Sequence, residues 1–467
     1  MRLVLLAYFL LPLCLPTLQV GTATPDSPLL TFYFTDFSPS QAQGPGNPLT
    51  LAEALAWGVD NNLAVAGQRL NVEVASRNDN WVTAGRNLRV DATLDLAPSL
   101  NSQDNPASFI NGTFFNGAAT AGLRASYTLF NGYRVRFAKR GLTQTTGLAE
   151  AQVRQLIETS VFEVAEAYYG AQLAAATRRL SARILDVSRD RITLAELRRA
   201  YGQAQAGELL QARTAYFTDS IALRRAGVDV DNAIRRVYLA LDAPAERFAG
   251  RPIGDTLVYE PRDWDATDVA AAIDSSATLD LLRRQRQFAL TQTELARTAL
   301  RPVVNVSAGL SHTRTGLRFL GELPAMGPPD EFVFGSSGNA NVGLTAAYTL
   351  FDGGLRRREV ANAITQERIA EVTLRNTRQD ASLQARSLLA SYRNQRDLLD
   401  LQTALIANAE ANLAIADERL RAGSINSFDY REVQLAYFRA VQGRLQAVHD
   451  ILLTDLNLRR LTGRLLD

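Results

Sequence analysis

Apolar residues recur along this chain with two periods. Val90, Ala92, Leu94 and Leu96 alternate with Arg89, Asp91, Thr93 and Asp95. Leu123, Ala125, Tyr127 and Leu129 alternate with Arg124, Ser126, Thr128 and Phe130, and Val304, Val306, Ala308 and Leu310 with Val303, Asn305, Ser307 and Gly309. Period two with one apolar face predicts strands, here about ten residues long, the length a tilted strand needs to cross a bilayer. Polar, Gly- and Asn-rich loops are expected at 98–120 and 311–341. Elsewhere the period is seven: Leu173, Leu180, Val187 and Leu194, then Tyr392, Leu399, Ile406, Leu413 and Leu420. These lie in proline-free stretches, Tyr133–Ala200 and Leu355–Ala422. Each predicts a helix roughly 100 Å long, supercoiled left-handed against its neighbours. A second stripe, Leu398, Leu401 and Leu405, implies neighbours on both sides, as in a cylinder wall. Gly202 and Gly423 turn the chain back along helices expected to reach about Asp242 and Leu466.

The chain is written twice. Residues 121–132 (AGLRASYTLFNG) recur as 342–353 (VGLTAAYTLFDG) with eight of twelve positions identical. The shift of 221 also pairs Gly202 with Gly423 and Ala215–Phe217 with Ala436–Phe438; upstream, Val90–Leu94 pairs with Val304–Ala308 at a shift of 214. Each copy reads helix, strand, loop, strand, very long helix, turn, helix. The first helix opens at Thr50 with Glu53 three residues on, a capping-box pattern, and is expected to reach about Arg86 with a break near Asn61-Asn62. The expected division is 49–242 for the first repeat, 243–264 for a Pro- and Gly-containing linker, and 265–467 for the second repeat.

Ahead of these, Arg2 and the apolar run Leu3–Leu11 predict an export signal over 1–23, with a fitting cleavage after Ala23; 24–48 is a loose lead-in. Cys14 raises a lipid anchor, but Leu13 fits a lipoprotein cleavage site poorly. Cys14 is the only cysteine, so neither a disulfide framework nor a thiolate metal site is available. His312 and His449 stand alone in sequence. The net charge of +2 does not mark a nucleic-acid binder. There is no Gly-rich phosphate loop, nucleophile elbow or His–carboxylate pairing, so neither catalysis nor a cofactor is expected.

Four strands cannot close a barrel, because their edges would leave backbone groups unpaired in lipid. Bacterial barrels begin at about eight strands, so the barrel must be shared, with eight strands from two chains or twelve from three. Here the sequence resembles the TolC-like outer-membrane efflux protein family. The likeness rests on Leu49–Leu55 (LTLAEAL) with Asp60-Asn61-Asn62, the two Tyr-Thr-Leu-Phe-(Asn/Asp)-Gly stretches, and Arg419–Asp429 (RLRAGSINSFD). It spans residue 48 to the C-terminus.

The resemblance implies an α+β membrane protein of the outer membrane, reaching into the periplasm. A homotrimer would share a twelve-stranded β-barrel, four strands per chain, continued by a long α-helical coiled-coil barrel. Such a channel is an exit duct for an inner-membrane pump, joined through a periplasmic adaptor, in drug efflux or polypeptide secretion. It implies that Asp429 and Glu432 form an acidic ring gating the tip, and that the turns at Gly202 and Gly423 dock adaptor and pump. Asp429 also reads as a first-turn acid after an Asn426 cap. The first copy holds Glu208 and Gln211 at the matching positions. Tyr127, Phe130, Gly132, Tyr348, Phe351 and Gly353 mark the strand-to-helix junctions. The aromatics there serve either an interfacial belt in outer-membrane lipid or packing where barrel meets tunnel. The competing reading is an exported coiled-coil structural protein without a pore.

Overall fold

The computed structural model describes residues 48–104, 112–202, 206–243, 251–320 and 332–466. The export signal, Cys14 and all of the lead-in but Pro48 lie outside the described residues. The order is α1 Leu51–Asp60, α2 Leu63–Asn78, β1 Arg89–Gln103, β2 Gly112–Phe130, α3 Arg134–Ala200 and α4 Ala206–Ala240. Then follow α5 Ala266–Ala272, a 3-10 turn, α6 Ala277–Thr298, β3 Val303–Phe319, β4 Val333–Ala347, α7 Leu355–Arg421 and α8 Ser427–Leu461.

The duplication is metric. Both α3 and α7 have 67 residues, both α4 and α8 have 35, and each boundary in one pair lies 221 positions from its counterpart. The break at Asn61-Asn62 is real. Thr50 caps α1 by accepting from Glu53 N, and Asn62 caps α2 by accepting from Val65 N at 2.9 Å. The helix stops at Asn78 instead of Arg86, because Asn80 restarts the chain as a turn, its Oδ1 accepting from Thr83 N.

The four strands form one antiparallel sheet in the order β1-β2-β3-β4. They are 15, 19, 17 and 15 residues long, not ten, and the expected loops at 98–120 and 311–341 are largely strand. The ladder is a backbone structure and continues where the strict apolar–polar alternation lapses, although Leu100, Phe115 and Phe334 still lie on the apolar face. The register sorts the faces. One carries Val90, Leu94, Leu96, Leu123, Ala125, Leu310, Val342 and Leu344; the other carries Asp91, Asp95, Arg124, Thr120, Thr313, Asn305 and Asn341. Thr120 and Thr313 hydroxyls meet across strands at 2.9 Å, and Thr128 donates to Asn305 at 2.8 Å, so the polar face is itself bonded. The apolar face is bare: Leu94 is 70% and Val342 81% exposed. β1 and β4 end the sheet with open edges.

Two cores clamp the helices at mid-length. In one, Leu49, Ala54, Val164, Tyr168, Val237 and Leu241 are fully buried. The Tyr168 hydroxyl lies 2.8 Å from both Leu49 O and an Asp255 carboxylate oxygen, and Arg251 pairs with Glu53 at 2.7 Å. In the other, Trp264, Leu389, Tyr392, Ile451 and Leu458 pack together, with Trp264 Nε1 donating to Asp455 at 2.8 Å and Tyr392 to Arg262 O at 2.6 Å. The 251–264 segment thus ties α1 to α3 and α7 to α8. Between the cores Glu158 is buried, and burial raises its pKa against the lowering charges of Arg154 and Arg460. The folded state therefore binds a proton more tightly than the unfolded chain. This contribution stabilises fully below the ordinary glutamate range and is lost as pH rises through the folded value. Glu158→Gln is expected to raise the thermal midpoint at pH 8, with the gain vanishing near pH 4; scans at both pH values check this.

On α7 the seven-residue seam faces α8: Tyr392 and Leu420 are buried, and Leu399, Ile406 and Leu413 partly so. The second stripe is uncovered, with Leu401 66% exposed beside Leu398 and Leu405.

Candidate functional site

The helix tips lie a full helix length from the sheet. Gly202 and Gly423 carry the reversals at φ +71° and +73°, a left-handed conformation that glycine adopts at low steric cost. Tyr201 stands exposed beside the first turn and Phe428 beyond the second. Asn426 opens α8: its Oδ1 accepts from Phe428 N at 2.8 Å and from Asp429 N at 2.9 Å. Asp429 sits in the first turn, where the helix dipole favours a carboxylate. Asp429 and Glu432 are both exposed, while Ser427, Tyr430 and Gln434 fill the buried side of the same turns. The structure brings the two acids onto the exposed side of one helix start. Neither pairs with a base among the described residues. In the first copy, by contrast, Glu208 lies 3.6 Å from Arg198, and Gln211 is neutral.

Sequence reasoning missed a polar network just above these acids. Arg431 of α8 reaches both carboxylate oxygens of Asp219 on α4, at 2.6 and 2.7 Å, and Gln434 Oε1 at 3.1 Å. Ser188 of α3 donates to Asp219. Arg191 of α3 donates to Ser427 at its carbonyl (2.8 Å) and hydroxyl (2.7 Å), and Arg198 donates to Leu420 O at 2.6 Å. Asp219, Arg191, Ser188 and Ser427 are buried. Burial, then the charge of Arg431, holds the Arg191 pKa below its ordinary value. The Arg431–Asp219, Arg191–Ser427 and Arg198–Leu420 bonds join the first hairpin to the second, and together they fix the start of α8 against α3 and α4. The signal was in the repeat. At the 221 shift Arg431 matches Leu210, Asp219 matches Ala440, Ser188 matches Ala409 and Ser427 matches Ala206. Buried polar residues stand where the other copy is apolar.

The remaining site residues are junctions. Tyr127 and Phe130 lie in the last four residues of β2, and Phe130 meets Tyr133 edge-on at 5.5 Å. Tyr348 and Phe351 are exposed and lie past the end of β4 at Ala347. Gly132 and Gly353 share a left-handed backbone, φ +65° and +66°. Among the described residues no helix is long and apolar enough to cross a membrane. Nor do any three His, Cys, Asp or Glu residues form a metal-binding group there.

A two-faced sheet with open edges, feeding paired 67-residue helices, is the subunit fold of a membrane channel whose barrel is shared between chains. The chain belongs to the outer membrane efflux protein family, whose sequence profile matches residues 59–243 and 269–464. Its fold is similar to that of VceC from Vibrio cholerae, at 17% identity over 88% of this chain and 96% of that one, TM-score 0.74. It is equally similar to the CmeC channel of Campylobacter jejuni: 15% identity, 89% and 86% coverage, TM-score 0.74. The open state of the MtrE channel of Neisseria gonorrhoeae matches at 18% identity, 89% of each chain and TM-score 0.68. No curated protein sequence matches the chain. The protein is thus an outer-membrane channel component with its helices in the periplasm, in a family of transport channels.

Proposed function

We propose that the protein acts as a homotrimer, the exit duct of an inner-membrane pump joined through a periplasmic adaptor, passing small molecules or polypeptides outward. The observation that carries this reading is the unfinished sheet. Four strands with an apolar face, a polar face and two open edges need partner strands before they can stand in lipid. The bare Leu398, Leu401 and Leu405 stripe adds a second unmet surface on the helices. Adaptor and pump dock at the exposed turns around Gly202 and Gly423. Asp429 and Glu432, repeated about the axis, form an acidic ring that favours cations and resists anions while the tip is closed.

Planar bilayers test this. The purified protein is expected to run on unheated detergent gels near three times its 51.1 kDa chain mass and to give cation-selective conductance. Asp429→Ala with Glu432→Ala should lower the cation-to-anion permeability ratio by about fivefold, since a unit charge about 4 Å away is worth roughly 1 kcal/mol in water. A soluble monomer without conductance would overturn the whole reading, and unchanged selectivity would overturn the ring.

A further inference from the structure

A register shift in β2 shapes the helix-proximal end of the apolar face. Thr128 stands opposite Asn305, and the next pair is Phe130 opposite Val304, so Phe130 joins Val304 and Val306 on the apolar side. The Phe130 ring meets that of Tyr133 edge-on at 5.5 Å, and the Arg301 guanidinium lies 5.3 Å from the centre of the Tyr133 ring. One Arg301 nitrogen donates to Gly132 O at 3.2 Å. Tyr133, Arg134 and Arg301 are all exposed. Among the described residues neither Arg301 nor Arg134 pairs with a carboxylate. A path of contacts thus runs from the lipid-facing side of the strands to an exposed guanidinium.

Charge at this level is one-sided. The stretches that join strands to helices, 79–91, 130–141, 294–303 and 347–359, hold eleven Arg or Lys against five Asp or Glu, whereas the whole chain is only +2. Four of the five acids are already engaged: Asp79 with Lys139, Asp91 with Arg89, Glu294 with Arg297 and Asp352 with Arg356. The first turns of α3 and α7 hold no acid, so the dipoles of both long helices add to the positive potential. All four strands end here, which puts these residues at the periplasmic surface of the outer membrane, the level of the lipid headgroups.

We infer that Arg301 and Arg134 bind the headgroup of an anionic phospholipid in the periplasmic leaflet, a proposal that rests on reading the sheet as part of an outer-membrane barrel. Tyr133 holds the Arg301 guanidinium by cation–π attraction and leaves N–H groups for a phosphate, which arginine engages in bidentate fashion. Basic residues at a membrane surface are drawn to anionic lipid in particular. Phe130, Val304 and Val306 continue the same face into the barrel, alongside the acyl chains of the bound molecule. Headgroup charge and hydrocarbon together match a lipid; free phosphate would use only the first. The repeat does not reproduce the arrangement. At the 221 shift Gly354 matches Tyr133, and at the 214 shift Asn87 matches Arg301, so one such site occurs per chain. Diffuse charge alone would not distinguish the Tyr133 junction from the Gly354 junction, where Arg357 and Arg358 are also exposed.

The test inserts the full protein into vesicles of phosphatidylcholine mixed equally with phosphatidylglycerol. Lipid retained after detergent extraction is then measured by native mass spectrometry. The unaltered protein is expected to retain phosphatidylglycerol about tenfold better, a ratio corresponding to about 1.4 kcal/mol. Arg301→Gln with Arg134→Gln should bring the ratio to near one while single-channel conductance stays unchanged, and Arg301→Lys should keep part of it. Arg357→Gln with Arg358→Gln removes the same charge from the other junction and should leave most of the preference. An equal loss from that second pair would assign the effect to diffuse charge and overturn the site. Equal retention of the two lipids by the unaltered protein would overturn the proposal without any variant, and so would displacement by millimolar inorganic phosphate. Failure to insert into any vesicle would overturn the barrel reading as well, whereas insertion without lipid preference overturns this inference alone.

Discussion

Arg431→Ala is expected to destabilise the helix tips by about 3–5 kcal/mol, the usual effect of leaving one partner of a buried ion pair alone. Asp219 would keep its charge in a buried site where, among the described residues, the Ser188 hydroxyl alone still donates to it. Asp219→Ala is expected to act similarly, stranding Arg431 beside Arg191. The decisive comparison is the double variant Arg431→Leu with Asp219→Ala, which installs the residue types the other copy carries as Leu210 and Ala440. Replacing a buried pair by apolar groups of suitable volume is often neutral or stabilising. The double variant should therefore recover most of the lost stability in thermal unfolding. If the network holds α8 to the first hairpin, the double variant should still show a raised open probability in bilayers. Recovery of both stability and closure would show the ion pair to be dispensable for holding the tip.

Gly132→Ala is expected to cost about 3 kcal/mol or more, against about 1–2 kcal/mol for Gly353→Ala. The two glycines hold nearly the same left-handed φ at the same place in the repeat. What differs is the surroundings. A Cβ at Gly132 would come within 2.6 Å of Arg301 Cβ and 2.9 Å of Thr298 O, whereas at Gly353 nothing lies within 4 Å. The first substitution adds a clash with backbone to the conformational strain, and the second adds strain alone. Unfolding midpoints of the two variants, measured side by side, check the difference. Equal losses would mean the junction shifts freely.

Much of the fold was legible because its elements are long and strongly periodic. Sixty-seven proline-free residues with a seven-residue seam leave few alternatives, and the 221-residue shift carried one copy's reading to the other. Strand lengths were underestimated because strict apolar–polar alternation lapses before the backbone ladder ends. Beyond Leu96 in β1 and Leu310 in β3 the ladder continues on backbone bonds, which leave little trace in side-chain identity. The Asn426 cap and Asp429 in its first turn could be read locally. The Arg431–Asp219 pair could not, because its members are 212 residues apart and meet only when the hairpins pack. Its trace was a broken symmetry: a charged residue in one copy facing Leu or Ala in the other.

The open edges of β1 and β4 also govern the kinetics of biogenesis. A single chain that entered the bilayer would carry two rows of unpaired amides and carbonyls into hydrocarbon, each unsatisfied group costing several kcal/mol. Insertion therefore cannot precede association. The step that commits the protein to the membrane is a multi-chain encounter, and its rate rises steeply with subunit concentration.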